Sequence, residues 1–375
     1  MSEFADSGVK PDVKGATGPR PSARFGRRLA VTYNAFMKRT TVCTLWILLA
    51  ACIPALACTN FMATDGRAVW FGDSEDAGMG HPLEIDPESA VMFFFPGVNG
   101  TYGRMHLGWL WQGTRNSYQA GMNDQGLAYG LTAVPNVELL PHPERPYRRG
   151  RDEYFDRLLA TCVNVDDAIE YAYQFDAEAM WFQIMFADAS GAAAVIGPGP
   201  DGELAVTRKD AHADVFVAST FNLSDSTQYV GRDAFVRYDD AVATLTESVD
   251  ENMLDAAEIT RALDIVHREG AYGLGQSYTM YSTAYDLENC VAYTYFMSQF
   301  GEAVRTDLTA ELARGRHTVR LTDLFSSETR DRAFARYLPL QRFGKTVMVA
   351  EIAALAALLG AVAFWLGSLL LDFPK

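Results

Sequence analysis

The sequence predicts an α+β domain of layered sheets covered by helices, with an apolar segment of membrane type before and after it. Three observations predict it. Short β-branched and aromatic runs cluster at both ends of the central region, helix-like runs are grouped between them, and the flanking apolar segments carry almost no charge. At 375 residues and 49% hydrophobic content the chain can bury a sizeable core. The formal charge of −15 speaks against a nucleic-acid binder, whose footprint is a basic patch or stripe. A solvated acidic surface is the simpler meaning of that charge.

The first element is a leader. Met37, Lys38 and Arg39 precede an apolar run from Val42 to Ala57, which closes with Ala55 and Ala57 in the small-residue arrangement that signal peptidase prefers. Residues 37–57 are therefore read as a signal peptide, whose removal would leave Cys58 first. Residues 1–36, rich in Gly, Pro, Arg and Lys, are read as a non-structural extension, either a long n-region or the product of too early a start codon. At the other end, Ile352 to Leu371 carries no charge for 20 residues, enough at ~1.5 Å per residue to cross a ~30 Å hydrocarbon core. The expected transmembrane helix covers 347–371 and follows a basic juxtamembrane segment, 326–346. Export would place the domain on the periplasmic or extracellular side. The basic segment would then face outward, against the positive-inside tendency that long translocated domains override.

Between these segments, 58–325 reads as mixed. Strand-like runs are "RAVWFGDS", "AVMFFFP", "WFQIMFAD", "AAAVIGP", "DVFVAST" and "CVAYTYFM". Helix-like runs are "RDEYFDRLLATC", "VDDAIEYAYQF", "RYDDAVATLTESV" and "DAAEITRALDIVHREG", the second and third following the expected caps Asn164 and Asp233. Trp109, Trp111 and "MFFFP" read as core or pocket wall.

Of five cysteines, Cys43 and Cys52 fall in the leader, leaving Cys58, Cys162 and Cys290, an odd number. Cys162 and Cys290 read as buried fillers. No C-x-x-C, H-E-x-x-H or clustered histidine pattern occurs, so neither a metal nor a cofactor is expected. Cys58 is different if it becomes N-terminal. Its thiol is then the nucleophile, and its own α-amine, with an unperturbed pKa of about 7.7–8.0, can take the thiol proton. In "CTNFMATDGRAVWFGDSED" a hairpin turning at Asp65 and Gly66 would bring Asp73, Glu75 and Asp76 back beside Cys58. Lipidation at Cys52, the last residue of "LAAC", is the competing reading, and it would keep the Cys58 amine inside a peptide bond.

The motifs "CTNF", "FGDSED", "GMNDQGLAYGL", "FADASG", "ASTFNLS", "YSTAYDLEN" and "LTAELARGRH" run in the order and spacing of the linear-amide carbon–nitrogen hydrolases, the choloylglycine hydrolases and penicillin V acylases among them. The resemblance covers Cys58 to Phe325. It implies a four-layer αββα N-terminal nucleophile hydrolase sandwich with Cys58 as nucleophile and base, and Asp76 in the place of the aspartate that contacts the nucleophile. It also implies an oxyanion donor near Thr132, a second near Thr220 or Asn222, and a supporting arginine at Arg232 or Arg237, which spacing alone does not separate. The expected site is Cys58, Asp76, Thr132, Asn222 and Arg232. Bile-salt hydrolases carry an arginine at the position that resembles Asp73, so neither a bile-acid conjugate nor penicillin V is implied as substrate.

The expected function is cleavage of a small-molecule linear amide by an exported, membrane-anchored enzyme. No nucleic-acid partner is expected, and a homo-oligomer is left open. An acyltransferase or a cysteine dipeptidase of the same fold is the nearest alternative. A membrane-tethered binding protein without turnover is the alternative of a different class.

Overall fold

The computed structural model describes residues 58–78, 85–111, 115–145, 150–174, 179–230, 233–270 and 277–371. The predicted signal peptide, the residues before it and Arg232 lie outside the described residues.

The chain opens with the expected hairpin, β1 (Thr59–Thr64) and β2 (Val69–Gly78). Its turn follows from local chemistry. Asp65 Oδ1 accepts from the Arg67 and Ala68 amides at 2.9 and 3.0 Å, and Gly66 takes φ 76°, a left-handed conformation that costs glycine little. Strands β3 (Ala90–Phe95), β4 (Arg104–Trp111), β5 (Arg115–Asn123) and β6 (Ala128–Glu138) follow, then helices α1 (Arg151–Thr161) and α2 (Val165–Ala172). Next come β7 (Ala179–Ala187), β8 (Ala193–Pro198), β9 (Leu204–Arg208), β10 (Val215–Ala218), β11 (Phe221–Asn222) and β12 (Asp225–Tyr229). A second helical pair, α3 (Ala234–Asp250) and α4 (Ala256–Val266), precedes β13 (Ser277–Asp286), β14 (Val291–Phe296) and β15 (Val304–Asp307). The short α5 (Leu308–Ala313), β16 (His317–Arg320) and the long α6 (Ser327–Leu371) complete the described chain.

Among the described residues the strands form an antiparallel sheet in the order β10-β1-β2-β13-β14-β15, another in the order β16-β3-β4-β5-β6-β7-β8-β9, and the small pair β11-β12. The helices do not form the single central group that the sequence suggested. They come as two pairs, one between β6 and β7 and one between β12 and β13, each closing a different sheet. Three cores result. Met62, Phe71 and Tyr285 of the first sheet meet Met92, Met105 and Met122 of the second. Phe155, Leu158 and Ile169 of α1 and α2 pack on the outer face of the second sheet, and Leu245, Ile259 and Leu263 of α3 and α4 on that of the first.

Burial on both faces explains why β2 lacks the alternation of a half-exposed strand: all ten residues are buried, Asp73, Ser74, Glu75 and Asp76 included. The strand-like run in the sequence reaches only Ser74, and acids are depleted in strands. Pairing with β13, a strand not read from the sequence, carries it on to Gly78. The caps also divide. Asn164 caps α2 through the Asp167 amide at 2.9 Å, whereas Asp233 makes no side-chain cap bond and turns its carboxylate to Arg237 and Arg268 instead.

Helix α6 begins on the domain and leaves it. Ala333 and Tyr337 are buried, Tyr337 lies against Tyr278 with ring centroids 5.4 Å apart, and Arg336 pairs with Glu269 at 2.7 Å. Its distal apolar stretch has none of its most hydrophobic window buried, and Phe364 is 80% exposed. This helix is long and apolar enough to cross a membrane, by length and composition.

Candidate active site

The β1–β2 register places Thr59 opposite Ser74 and Asn60 opposite Asp73, so Cys58 stands level with Glu75. Successive side chains point to opposite faces of a sheet. Cys58, Asn60, Asp73 and Glu75 share the face of Met62 and Phe71, between the sheets. Thr59 and Asp76 share the face of Phe61 and Trp70, toward α3 and α4.

On the inter-sheet face Cys58 is 3% exposed, and its Sγ donates to Glu75 Oε2 at 3.2 Å. Burial first, then the charges of Glu75 and Asp76, push the thiol well above its ordinary value, while a hydrogen bond from the Asp76 backbone pulls the other way. In the uncut chain the thiol is therefore neutral at physiological pH. Burial and the Asp73 charge likewise push the Glu75 carboxyl well up.

On the helix face Arg237, reaching in from α3, donates through Nη1 to Thr59 Oγ1 at 2.9 Å and to Asp76 Oδ2 at 3.1 Å, and through Nη2 to Thr220 Oγ1 at 3.1 Å. Thr279 of β13 donates to the other Asp76 oxygen. Burial raises the Asp76 carboxyl, and the charges of Arg237 and Arg268 oppose that rise. One guanidinium thus binds together β1, β2 and the chain leading into β11.

The predicted residues are partly assembled. Cys58 and Asp76 are brought together, but the carboxylate within reach of the thiol is that of Glu75, because strand alternation turns the Asp76 side chain to the opposite face. Thr132, opposite Gln183 on the β6–β7 ladder, is 1% exposed, and its Oγ1 has no hydrogen-bond partner among the described residues. Asn222 is buried, and its amide donates to Pro198 O at 2.8 Å and to Gln228 Oε1 at 3.4 Å while its oxygen accepts from Ser224. Both its protons are committed, so this arrangement does not offer it as an oxyanion donor. Thr220 likewise donates its hydroxyl proton to Val230 O at 2.7 Å. Of the two arginines that spacing left open, Arg237 contacts Asp76, and Arg232 lies outside the described residues.

Sequence reasoning left Asn60, Thr279 and Tyr281 out of the site. Strand parity counted from Cys58 could have found Asn60, two residues on and on the same face. Its amide is fully buried without a partner among the described residues and lies against Gly130, where a Cβ would come within 2.6 Å of Asn60 Nδ2. Cys58, Cys162 and Cys290 are free thiols, Cys162 being pushed up to about 11 by burial. No group of three or more His, Cys, Asp or Glu side chains among the described residues is placed to hold a metal ion.

No family model and no curated protein matches this sequence. Solved structures do. Two variants of the conjugated bile acid hydrolase from Clostridium perfringens align over 70% of this chain and 96% of theirs, at 14% identity, with TM-scores of 0.54 and 0.52. Penicillin V acylase from Agrobacterium tumefaciens aligns over 67% of this chain and 86% of its own at 16% identity, with a TM-score of 0.44. The chain therefore shares the fold of that conjugated bile acid hydrolase, a fold consistent with the one that the seven motifs implied. At such identity the likeness to the bile acid hydrolase concerns the fold alone.

Proposed function

We propose that this protein is an amidohydrolase that cleaves a linear carbon–nitrogen bond through an acyl-thioester on Cys58, once signal-peptide cleavage has made Cys58 the first residue. The observation that carries the reading is the placement of a buried thiol at the head of β1, 3.2 Å from Glu75 Oε2, in a fold shared with a conjugated bile acid hydrolase. Cleavage frees an α-amine, which accepts the thiol proton. The thiolate attacks the amide carbonyl. Thr132 Oγ1 and Asn60 Nδ2, which have no hydrogen-bond partner among the described residues, receive the oxyanion. The α-ammonium passes its proton to the departing amine as the C–N bond breaks. Water then attacks the thioester, the α-amine takes the water's proton, and the carboxylic acid leaves as the thiol re-forms. Arg237 is a positioning residue: it fixes Thr59 and Asp76 on the far face of the strands and so sets Cys58.

In this reading 58–325 is the catalytic domain, its two sheets and two helical pairs stacking as a four-layer αββα sandwich. Residues 347–371 anchor it in the membrane with the domain on the periplasmic or extracellular side, and the exposed apolar side chains of distal α6 support that anchor. The test is intact mass and N-terminal sequencing of the mature protein together with hydrolysis assays. The mature chain is expected to begin at Cys58 and Cys58→Ala to lose about 10⁴-fold or more in kcat. A different first residue, or full hydrolysis by Cys58→Ala, overturns the reading.

A further inference from the structure

The three buried acids of β2 are not served alike. Asp76 is paired with Arg237 at 3.1 Å and feels Arg268 as well, and Glu75 accepts the Cys58 thiol and feels Arg151. Asp73 is fully buried with neither carboxylate oxygen hydrogen-bonded among the described residues, and the charge that acts on it is the like charge of Asp76. Asn60 and Tyr281 on the same face share this condition, as does Tyr285 farther along β13. Asn60, directly opposite Asp73 in the ladder, has both amide atoms unpartnered, and Tyr281, opposite Glu75, has an unpartnered hydroxyl; both are fully buried. Tyr281 lies close enough to feel Glu75 and Asp73.

Buried polar groups left unpaired cost folding energy and are uncommon in native interiors. Three of them converging beside a nucleophile have the composition of a site shaped for a polar ligand group. The inventory says which group. Asp73 and Asn60 Oδ1 are acceptors, and Tyr281 can accept through its oxygen: the set fits a donor-only cation. The site adjoins Cys58 on the same face, and Cys58 is the group that keeps the acyl half as a thioester after the amine has left.

We propose that Asp73, Asn60 and Tyr281 bind an ammonium carried by the acyl half of the substrate, so that this enzyme acts on amino-acyl amides. The proposal rests on the amidohydrolase reading for its reaction but not for its site. Burial first and the Asp76 charge second push the Asp73 carboxyl well above the usual carboxylate range, and an arriving ammonium is the kind of partner that would ionise it.

Two measurements on the processed full-length protein in detergent test it. The first compares hydrolysis of glycyl, β-alanyl and 4-aminobutanoyl 7-amido-4-methylcoumarin with their carbon-matched neutral acyl counterparts. At least one amino member should exceed its neutral match by about 10- to 100-fold in kcat/KM, and Asp73→Asn should collapse that ratio at least about tenfold. The second needs no turnover. Alkylation of Cys58 by 2-bromoethylammonium and by bromoacetate, followed by mass spectrometry, should favour the cation about tenfold more than glutathione does, and Asp73→Asn should abolish the excess. Asp73→Glu should keep the preference, and Tyr281→Phe should weaken it, which preserves the test if Asp73→Asn does not fold. Preference for the neutral or anionic probe overturns the proposal. So does an equal loss on every probe in Asp73→Asn, the result expected if Asp73 serves only the Cys58 α-ammonium. A cation preference in alkylation without hydrolysis of any amide would leave the ammonium site standing and sink the amidohydrolase reading.

Discussion

Asp73 and Asp76 stand three residues apart on one strand, both fully buried, in opposite circumstances. Asp76 faces the helices and is held by Arg237 and Thr279 in a network that also takes in Thr59 and Thr220. Asp73 faces the space between the sheets, where Asn60, Tyr281 and Thr132 share its lack of hydrogen-bond partners among the described residues. The difference separates two uses of buried polarity. A satisfied network fixes the backbone, and an unsatisfied one is left for a ligand or a transition state to complete.

The comparison can be broken most severely at Arg237. Arg237→Ala strips a buried carboxylate of its cation and should cost about 3–5 kcal/mol, read as a fall in melting temperature of roughly 10 °C. A fall of only a degree or two would mean that Asp76 does not depend on this pair. On the other face Thr132→Val removes a hydroxyl that has no hydrogen-bond partner to lose among the described residues. Its melting temperature should hold or rise while kcat drops about 10²- to 10³-fold. If both fall together, Thr132 supports the fold and not the reaction. Asn222→Ala sharpens the same contrast from the other side, because its amide is spent on Pro198 and Gln228. Stability should fall by about 1–3 kcal/mol with kcat little changed.

The smallest expected effect lies away from the site. Asp156 of α1 takes both arms of Arg104 on β4, at 2.7 and 2.9 Å, with the His106 imidazole 3.7 Å away. Burial alone would raise this carboxyl, but His106 and Arg104 hold it well below the usual carboxylate range. A depressed folded pKa means that the stabilisation is complete above the unfolded value of about 3.9 and fades as pH falls below it. Melting of the wild type should therefore decline more steeply between about pH 5 and 2 than that of Asp156→Asn. Parallel declines would show that the Arg104 fork adds nothing in acid.

Much of the molecule was legible in the chain. The hairpin that returns the acids to Cys58 follows from Asp65 and Gly66, residues whose turn chemistry is local. Asn164 announced α2 for the same reason. What was missed depended on partners distant in sequence. Strand β13 and the last four residues of β2 are not legible locally, because their polar side chains are accepted into strands by pairing with each other. Asp233 resembled a cap and became an ion-pair partner of Arg237 and Arg268, the latter 35 residues away in the chain.

The sequence by itself determined the hairpin, the thiol at its head, the apolar segments and the order of motifs, since each rests on neighbours along the chain. Only the tertiary structure decided which acid meets the thiol, what Arg237 holds, and which amide keeps its protons. Those choices depend on which face of a strand a side chain occupies and on what the other layer brings against it. Alternation turns Asp76 toward Arg237 and Glu75 toward Cys58, and no local pattern in "FGDSED" distinguishes the two.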